Sequence, residues 1–311
     1  IRAMYMVVGI VMISGIVESN TKISIENCAT FYALGIILAA VIAKFADFIP
    51  NLSNYIVSNH GSLGTTRFCG LYGNPNYYTY DISIAICMVL YLMSKSDKVS
   101  VFYILLVVLL IFVGVLSISM SFVLATIFTV VLYLFFAGKG AKSQRSKILI
   151  CVGFFIAFYF LNQNESVSTV VERFMNLDFS LGMMGDTTSN RTTKWAKFLQ
   201  WTLQDYRVFF WGAGMEATTE SAHNLYIEYP YFFGIIGTSL FIVWINTLIK
   251  KARFGIERQL KSKRFLIILI PVLFRAFAIS LVGFMNFWMT LGLIFVIYKQ
   301  ELNDMNVLAY D

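Results

Sequence analysis

Apolar segments of about 18 residues recur along this chain, and each can cross roughly 30 Å of hydrocarbon as an α-helix. Hydrophobic residues make up 58% of the sequence and charged residues only 13%, whereas a soluble domain carries about 25% charged residues. The mean hydropathy is +0.72. Short segments of alternating hydrophobicity, typical of a membrane β-barrel, do not appear in the sequence. The pattern therefore predicts an all-α polytopic membrane protein.

The pattern predicts about nine membrane spans in a single transmembrane domain that covers residues 1–311. The predicted spans are 3–17, 29–49, 77–93, 100–117, 119–137, 147–161, 224–248, 264–282 and 284–299. The apolar block 100–137 is divided near Ser117 and Ser119, because polar residues there allow a tight turn. The chain opens on Ile1 rather than Met, so we expect one or more N-terminal helices to precede it.

Two basic loops set the predicted orientation, because Lys and Arg in short loops mark the cytoplasmic side of a membrane. They lie at 139–147 and 250–264. Since the net charge of +7 is concentrated in such loops, we expect no nucleic-acid partner. The loops at 50–76 and 162–223 then face outward, and both histidines lie in them. Any chemistry is expected on the outer side, with 162–223 as a large loop that carries part of the site.

The first candidate element is the stretch TTRFCGLYGNPNYYTYD (65–81). Its Gly-Asn-Pro-Asn run is a turn signal, because Pro presets φ and Asn tolerates the left-handed conformation. One interpretation is a loop that ends in a helix cap. The other is a shaped loop at membrane depth that binds substrate through Arg67, Asn74 and Asn76.

The second candidate element is SNRTTKWAKFLQW (189–201), which has the pattern of an amphipathic helix. Its tryptophans indicate that it lies on the membrane surface. One face carries Trp195, Phe198 and Leu199. Arg191 then sits in the first turn, where free N–H groups and the positive end of the helix dipole suit an anion. The alternative is an ordinary surface arginine near lipid headgroups.

The third candidate element is WGAGMEATTESAHNLYIEYPYFFGIIG (211–237), which leads into a predicted span. His223 and Asn224 stand at the edge of that span, and we expect Asn224, Glu216 and Glu220 to help bind substrate. An imidazole can act as a general base near neutral pH. The alternative is a histidine that caps the helix at the membrane interface. Three acidic residues are further candidates for the base, or for orienting the ring: Asp186, Glu216 and Glu220.

The fourth candidate is Arg275, which lies inside an apolar run several residues from the predicted cytoplasmic end. A charge at that depth is costly, so we expect it to face a cavity or a partner. The alternative is a side chain that extends back to the interface.

Neither a P-loop nor a nucleotide-sugar motif nor an acidic pair at metal-ligand spacing occurs in the sequence. Two histidines cannot build a His-rich metal site, and the four cysteines have no metal-like spacing. We therefore expect no metal and no other cofactor, and expect arginines to supply the positive charge that an anionic leaving group needs.

The order of these elements, from about residue 65 to about 298, resembles the O-antigen ligase and Wzy-type O-antigen polymerase superfamily. GLYGNPNYYTYDISIAI resembles the family's Asn-Pro-Asn helix start. SNRTTKWAKFL and WGAGMEATTESAHNLYIEYPYFFGIIG resemble its second and third signatures. Many members carry Arg or Lys in a Ser-x-Ser-Arg motif between two spans, but here LSISMSF (116–122) has Met120 near that position. We hypothesise that Arg67 or Arg275 substitutes for this cation.

The resemblance implies a GT-C-like multi-helix transmembrane bundle with a large helical periplasmic loop, in the bacterial inner membrane. It implies glycosyl transfer without a metal, on the periplasmic face, from a glycan carried by undecaprenyl diphosphate. By motif match, Arg191 would bind the diphosphate and His223 would take the proton from the acceptor hydroxyl. The implied partners are the lipid-linked glycan donor and acceptor, membrane lipid, a chain-length regulator and a flippase.

Three functions remain open at this point. A polymerase joins two lipid-linked glycans into O-antigen or capsular polysaccharide, whereas a ligase moves the finished glycan onto lipid A-core. Within the family resemblance, the outer loop is long but modest in size, which favours the polymerase. A transporter or flippase for lipid-linked oligosaccharide would use Arg275 and Lys44 along a pathway, and predicts inverted repeats that the sequence does not show by eye.

Overall fold

A computed structural model describes most of the chain. The described residues are 2–18, 24–46, 48–49, 59–62, 65–95, 100–137, 144–145, 147–153, 191–218, 220–253, 264–281 and 283–307. The helices are α1 (Arg2–Glu18), α2 (Ile25–Ala46), α3 (Pro75–Lys95), α4 (Val101–Val115), α5 (Met120–Phe136), α6 (Arg191–Gln204), α7 (Tyr206–Trp211), α8 (Leu225–Arg253), α9 (Leu266–Ala276) and α10 (Met285–Val307). Two strands, β1 (Asn59–Ser62) and β2 (Thr65–Phe68), form an antiparallel hairpin.

Three described helices are long and apolar enough to cross a membrane: α2, α3 and the Leu225–Thr247 part of α8. The helices α4, α5 and α9 are apolar but shorter. The mostly helical structure is compatible with the predicted all-α membrane protein. The count of nine spans stays a prediction, and residues 154–161 of one predicted span lie outside the described residues.

The predicted division of the 100–137 block is confirmed. Helix α4 ends at Val115 and α5 begins at Met120, so the break falls on residues 116–119. Ile118 has a φ of 48°, which is uncommon for a β-branched residue. The two serines at the break are buried. The break turns backbone carbonyls away from the helix ladder, where other groups can reach them.

Two features of the fold differ from the predicted pattern. The hairpin was not predicted, because two four-residue strands are too short for hydropathy to reveal. The predicted span 264–282 is not one continuous helix, since α9 ends at Ala276 and the following residues form turns. An 11-residue helix is only about 16 Å long. Apolar composition alone does not distinguish a buried turn from a continuing helix.

One compact unit consists of Ser24–Asn176 and Lys263–Arg275. Helix α3 is its centre and is almost entirely buried between α2, α4 and α5. The face of α2 that packs inward carries many small residues, which let helices approach closely. These are Ala29, Ala33, Ala40 and Ala43. The opposite face of α2 exposes large apolar side chains that suit lipid.

The other compact unit consists of Ile1–Ile23, Leu177–Ser262 and Ala276–Asp311. In it α1 packs against α10, and α6 and α7 pack against α8. Helix α8 is interrupted at Gly234, whose φ of 63° and ψ of −176° are not helical. The backbone N–H groups of Ala213 and Gly214 donate to the carbonyls of Tyr231 and Phe232 at 2.8 and 3.0 Å. These bonds satisfy carbonyls that the interrupted helix leaves without an intrahelical donor.

Close backbone approach explains the first glycine of the Gly-x-Gly run that precedes α8, and also the glycine at the interruption of α8. Gly212 has a φ of 82°, and a Cβ at that position would overlap the carbonyl of Phe232. A Cβ on Gly234 would likewise overlap the carbonyl of Phe210. Glycine is therefore required at both positions, for its backbone conformation and for space.

Candidate functional site

The Asn-Pro-Asn motif forms the start of α3. The side-chain oxygen of Asn74 accepts a hydrogen bond from the backbone N–H of Asn76 at 2.9 Å, and Pro75 is the first helical residue. Asn is a preferred N-cap and Pro a preferred first residue, so the local sequence dictates this start. The helix-cap interpretation is therefore confirmed for Asn74, while its predicted role in substrate binding stays a prediction.

Arg67 reaches this helix start from the end of β2. Its Nε donates to the carbonyl of Ser117 at 2.9 Å, in the break between α4 and α5. Its Nη2 donates to the side-chain oxygen of Asn76 at 3.4 Å. Arg67 is therefore held between the hairpin and the break that separates α4 from α5. The residue is only 9% exposed.

Arg275 reaches the same helix start from the last turn of α9. Its Nη2 donates to the carbonyl of Asn76 at 3.0 Å and to the hydroxyl of Thr79 at 2.9 Å. Its Nη1 donates to the hydroxyl of Ser121 at 2.5 Å. The side chain is 1% exposed. Arg275 therefore faces polar partners inside the protein, as predicted, and does not extend to the interface.

We call Arg67, Arg275, Asn76, Thr79 and Ser121 the arginine centre. Both guanidinium groups bond to Asn76, and their hydrogen bonds described above go to carbonyl, amide and hydroxyl oxygens. The N-terminus of α3 adds the positive end of a helix dipole. This arrangement concentrates positive charge at a buried place and suits a doubly charged anion.

The motif around His223 forms the start of α8. The side-chain oxygen of Asn224 accepts from the backbone N–H of Tyr226 at 3.0 Å, so Asn224 is the cap. Asn224 is 2% exposed. His223 precedes the cap with a φ of 52°, in the left-handed region that favours glycine. His223 is thus placed by the turn before the helix and is not itself the helix cap.

A buried carboxylate lies beside His223. Glu228 is 0% exposed and accepts hydrogen bonds through Oε1 from the hydroxyl of Ser221 at 2.9 Å and from the backbone N–H of His223 at 3.1 Å. The hydroxyl of Ser280 donates to its Oε2. Ser221 Oγ also lies 3.3 Å from His223 Nδ1. We call Ser221, His223, Glu228 and Ser280 the histidine centre.

Helix α6 packs against the histidine centre, and its predicted helical structure is confirmed. The indole N–H of Trp195 donates to the carbonyl of Ala222 at 2.8 Å, next to His223. Phe198 is buried against the ring of Tyr231, with ring centroids 4.9 Å apart. Leu199, predicted on the same face, is 49% exposed. Arg191 is the first residue of α6, and its side chain lies outside the described residues, as does Asp186.

The other two predicted acidic residues are exposed in the segment before His223. Glu220 forms an ion pair with Lys197 of α6 at 2.7 Å. Glu216 lies in the turn that follows Gly214. The acidic group beside His223 is therefore that of Glu228, which the sequence analysis did not single out.

Two buried acidic residues were not predicted as candidates. Both could have been found from one signal, an ionisable residue inside an apolar segment long enough to span a membrane. Glu228 and Asp81 are fully buried inside helices apolar enough to cross a membrane. Asp81 lies beside Tyr32 of α2. An ionisable residue in such a helix indicates function by default, which is the rule that selected Arg275.

Cys69 lies two residues after Arg67 and is buried. Burial raises the pKa of the Cys69 thiol above its ordinary value, so the thiol next to Arg67 stays protonated at neutral pH. Among the residues that the structure describes, no three His, Cys, Asp or Glu side chains gather as metal ligands. Lys44, the other cation considered for a transport pathway, is exposed and lies 4.9 Å from the centre of the Phe68 ring.

No protein-family model, no curated protein and no solved structure matches this chain.

Proposed function

We propose that the protein polymerises undecaprenyl-diphosphate-linked oligosaccharide repeat units into O-antigen or capsular polysaccharide. In this proposal it is a GT-C-type glycosyltransferase of the bacterial inner membrane that acts on the periplasmic face. The observation that carries the proposal is the arginine centre, in which two buried guanidinium groups bond to one residue at a helix N-terminus.

The arginine centre suits the leaving group of this reaction. A cation at a helix N-terminus is unfavourable for the helix dipole, so the dipole does not explain why two arginines are there. A lipid diphosphate gains negative charge as the glycosidic bond to phosphate breaks. Guanidinium groups remain protonated and can stabilise that charge in a site shielded from bulk water. Donors held in place before the reaction, as Asn76 and Ser121 hold Arg275, add most to the rate.

The histidine centre suits the acceptor. The hydroxyl oxygen of the acceptor sugar attacks the anomeric carbon, a new C–O bond forms, and the C–O bond to the diphosphate breaks. The electron pair of that bond leaves with the diphosphate, and the acceptor proton passes to His223. A general base of this kind contributes about 10²–10⁴-fold in rate. Direct displacement inverts the anomeric centre and requires no metal.

The remaining predicted residues receive roles by the same chemistry. Arg191, at the start of α6, would add a further cation for a diphosphate group, in line with the motif resemblance. Asn76 orients both arginines, and Asn224 fixes the turn that carries His223. Lipid-linked donor and acceptor glycans are the proposed substrates, with a chain-length regulator and a flippase as proposed partners.

The experiment is a glycan-ladder assay with purified protein in lipid nanodiscs and undecaprenyl-diphosphate repeat units. We expect a ladder on a gel from the parent protein and none from His223→Ala or Arg275→Gln. Arg207→Gln is the matched control, because Arg207 is an exposed arginine outside both centres. Each variant is accepted only if its thermal unfolding midpoint stays close to that of the parent.

The acceptor separates the proposal from its rivals. Transfer of preformed glycan to lipid A-core, with no ladder from repeat units, would identify a ligase. Movement of intact lipid-linked glycan across a vesicle membrane, with no new glycosidic bond, would identify a transporter. A normal ladder from Arg275→Gln would show that the arginine centre is not needed for the reaction and would contradict the proposal.

A further inference from the structure

We infer that Ser221 and Glu228 hold the imidazole of His223 in the tautomer that carries its hydrogen on Nδ1. They are positioning residues for the ring. The tautomer is a property of the histidine centre and can be measured without any substrate. Its catalytic meaning rests on the proposed function, in which His223 is the base.

The hydrogen-bond inventory of Ser221 assigns the tautomer. A serine hydroxyl has one hydrogen to donate and two lone pairs to accept with. That hydrogen goes to Oε1 of Glu228 at 2.9 Å, because a carboxylate can only accept. The 3.3 Å contact between Ser221 Oγ and His223 Nδ1 must then use a lone pair of the serine. Nδ1 is consequently the donor and carries the hydrogen.

The backbone of His223 is fixed by the same two groups. Its N–H lies 3.0 Å from Ser221 Oγ and 3.1 Å from Glu228 Oε1, so it is shared between them. This sharing supports the left-handed φ of His223, which is otherwise unfavourable for a residue with a Cβ. Ser280 holds the second oxygen of the Glu228 carboxylate. Ring and backbone are therefore oriented by one anchored carboxylate.

The charged groups near the histidine centre differ in what they contact. Helix α6 contributes Trp195, which bonds to Ala222, and Lys197, whose ammonium group pairs with Glu220. Glu228 is the buried acidic group that bonds to the turn itself. Glu228 is therefore the acidic residue that can orient the ring, whereas Glu216 and Glu220 are exposed. Glu220 provides a matched control.

The consequence of the Nδ1–H tautomer is that the lone pair of the ring lies on Nε2. A general base needs such a lone pair directed at the proton that it removes. Chains of hydrogen bonds from a ring nitrogen to a carboxylate fix tautomer and orientation in well-studied catalytic sites. Here a serine hydroxyl lies between the ring and the carboxylate.

The test is ¹⁵N NMR of protein labelled on histidine, recorded at a pH at which the rings are neutral. The chain has only two histidines, so the His223→Asn spectrum assigns both sets of signals by difference. The nitrogen shifts separate a protonated from an unprotonated ring nitrogen. We expect Nδ1–H for His223 in the parent protein. Ser221→Ala and Glu228→Leu, which removes the acceptor of the Ser221 hydrogen, should each lose this preference. Ser221→Thr, which keeps the hydroxyl, and Glu220→Gln should retain it.

Two results overturn the inference: an Nε2–H tautomer in the parent, or an unchanged Nδ1–H tautomer in both Ser221→Ala and Glu228→Leu. The parent spectrum alone decides the tautomer if a variant fails to fold. In the ladder assay, Ser221→Ala should lower kcat about 10-fold with KM unchanged, and Ser221→Thr should restore it, because loss of a positioning residue costs less than the about 10²–10⁴-fold that the base itself contributes. A Nδ1–H tautomer in a protein that makes no ladder would leave this inference standing and refute the proposed function.

Discussion

The starts of α3 and α8 use the same cap and carry opposite charge. In each, an asparagine side-chain oxygen accepts the backbone N–H two residues further on, at 2.9 Å for Asn74 and 3.0 Å for Asn224. Two arginines gather at the start of α3, whereas a buried glutamate lies in the first turn of α8. A common backbone solution therefore supports two different chemistries.

The helix dipole explains what the difference means. A carboxylate near a helix N-terminus is favourable, so Glu228 can stabilise α8 as well as orient His223. Two cations at the same end of α3 are unfavourable for that helix, and their placement is better explained by an anionic ligand. We therefore expect the arginines to serve function, and the glutamate to serve both function and the stability of its helix.

The largest expected effect is on activity at the arginine centre. Arg275→Lys keeps the charge but loses the planar fork that contacts Asn76, Thr79 and Ser121 at once. We expect ladder formation to fall by at least about 10²-fold, as when a preorganised donor is removed from an active site. Initial rates in nanodiscs measure it, with Arg207→Lys as the control. Full activity in Arg275→Lys would show that positive charge alone suffices there.

The next effect is on stability in the segment that supports the start of α8. Gly234→Ala places a Cβ in a backbone region that is essentially restricted to glycine and against the carbonyl of Phe210. We expect a loss of about 2–4 kcal/mol in the free energy of unfolding. Gly15→Ala, in α1, is the control because its Cβ would meet open space. Equal thermal midpoints for the two variants would contradict the close approach described for Gly234.

The caps themselves should be equivalent in stability and different in function. Asn74→Ala and Asn224→Ala each remove one capping bond, and each should cost about 1 kcal/mol. The ladder assay should separate them. Under the proposed function, Asn74→Ala should disturb diphosphate binding and raise KM, whereas Asn224→Ala should disturb the turn that carries His223 and lower kcat. Identical kinetic changes in the two variants would mean that the two centres do not divide the reaction in this way.

The smallest effect concerns the exposed ion pair near the histidine centre. Glu220→Gln removes the partner of Lys197, and exposed pairs contribute only about 0–1 kcal/mol. We expect an unchanged ladder and a thermal midpoint within error of the parent. A substantial loss of activity in Glu220→Gln would return this residue to the candidates for the base.

The residues that could be predicted from the sequence are those whose local chemistry decides their position. The break near Ser117 and the helix start after Asn74 follow from turn and cap preferences of a few adjacent residues. The buried state of Arg275 follows from the cost of a charge in an apolar segment. Each of these predictions was confirmed because it required no knowledge of which distant segment would supply the partner.

The features that could not be predicted from the sequence depend on contacts between distant segments. The bond from Ser280 to Glu228 joins residues 52 positions apart, and that from Arg275 to Thr79 joins residues 196 positions apart. Glu220 is nearer to His223 in sequence than Glu228, yet α6 draws it away through Lys197. The short hairpin that carries Arg67 lacks the apolar alternation that predicts a strand.

The central claim is that the arginine centre binds a lipid diphosphate, and equilibrium binding tests it most directly. Undecaprenyl diphosphate and undecaprenyl monophosphate would each be titrated into parent protein, Arg275→Lys and Arg207→Lys in nanodiscs. The account predicts tighter binding of the diphosphate by the parent, and a loss of at least about 10-fold in that preference, or about 1.4 kcal/mol, in Arg275→Lys alone. Equal affinity of the parent for the two lipids, or an undiminished preference in Arg275→Lys, would contradict it.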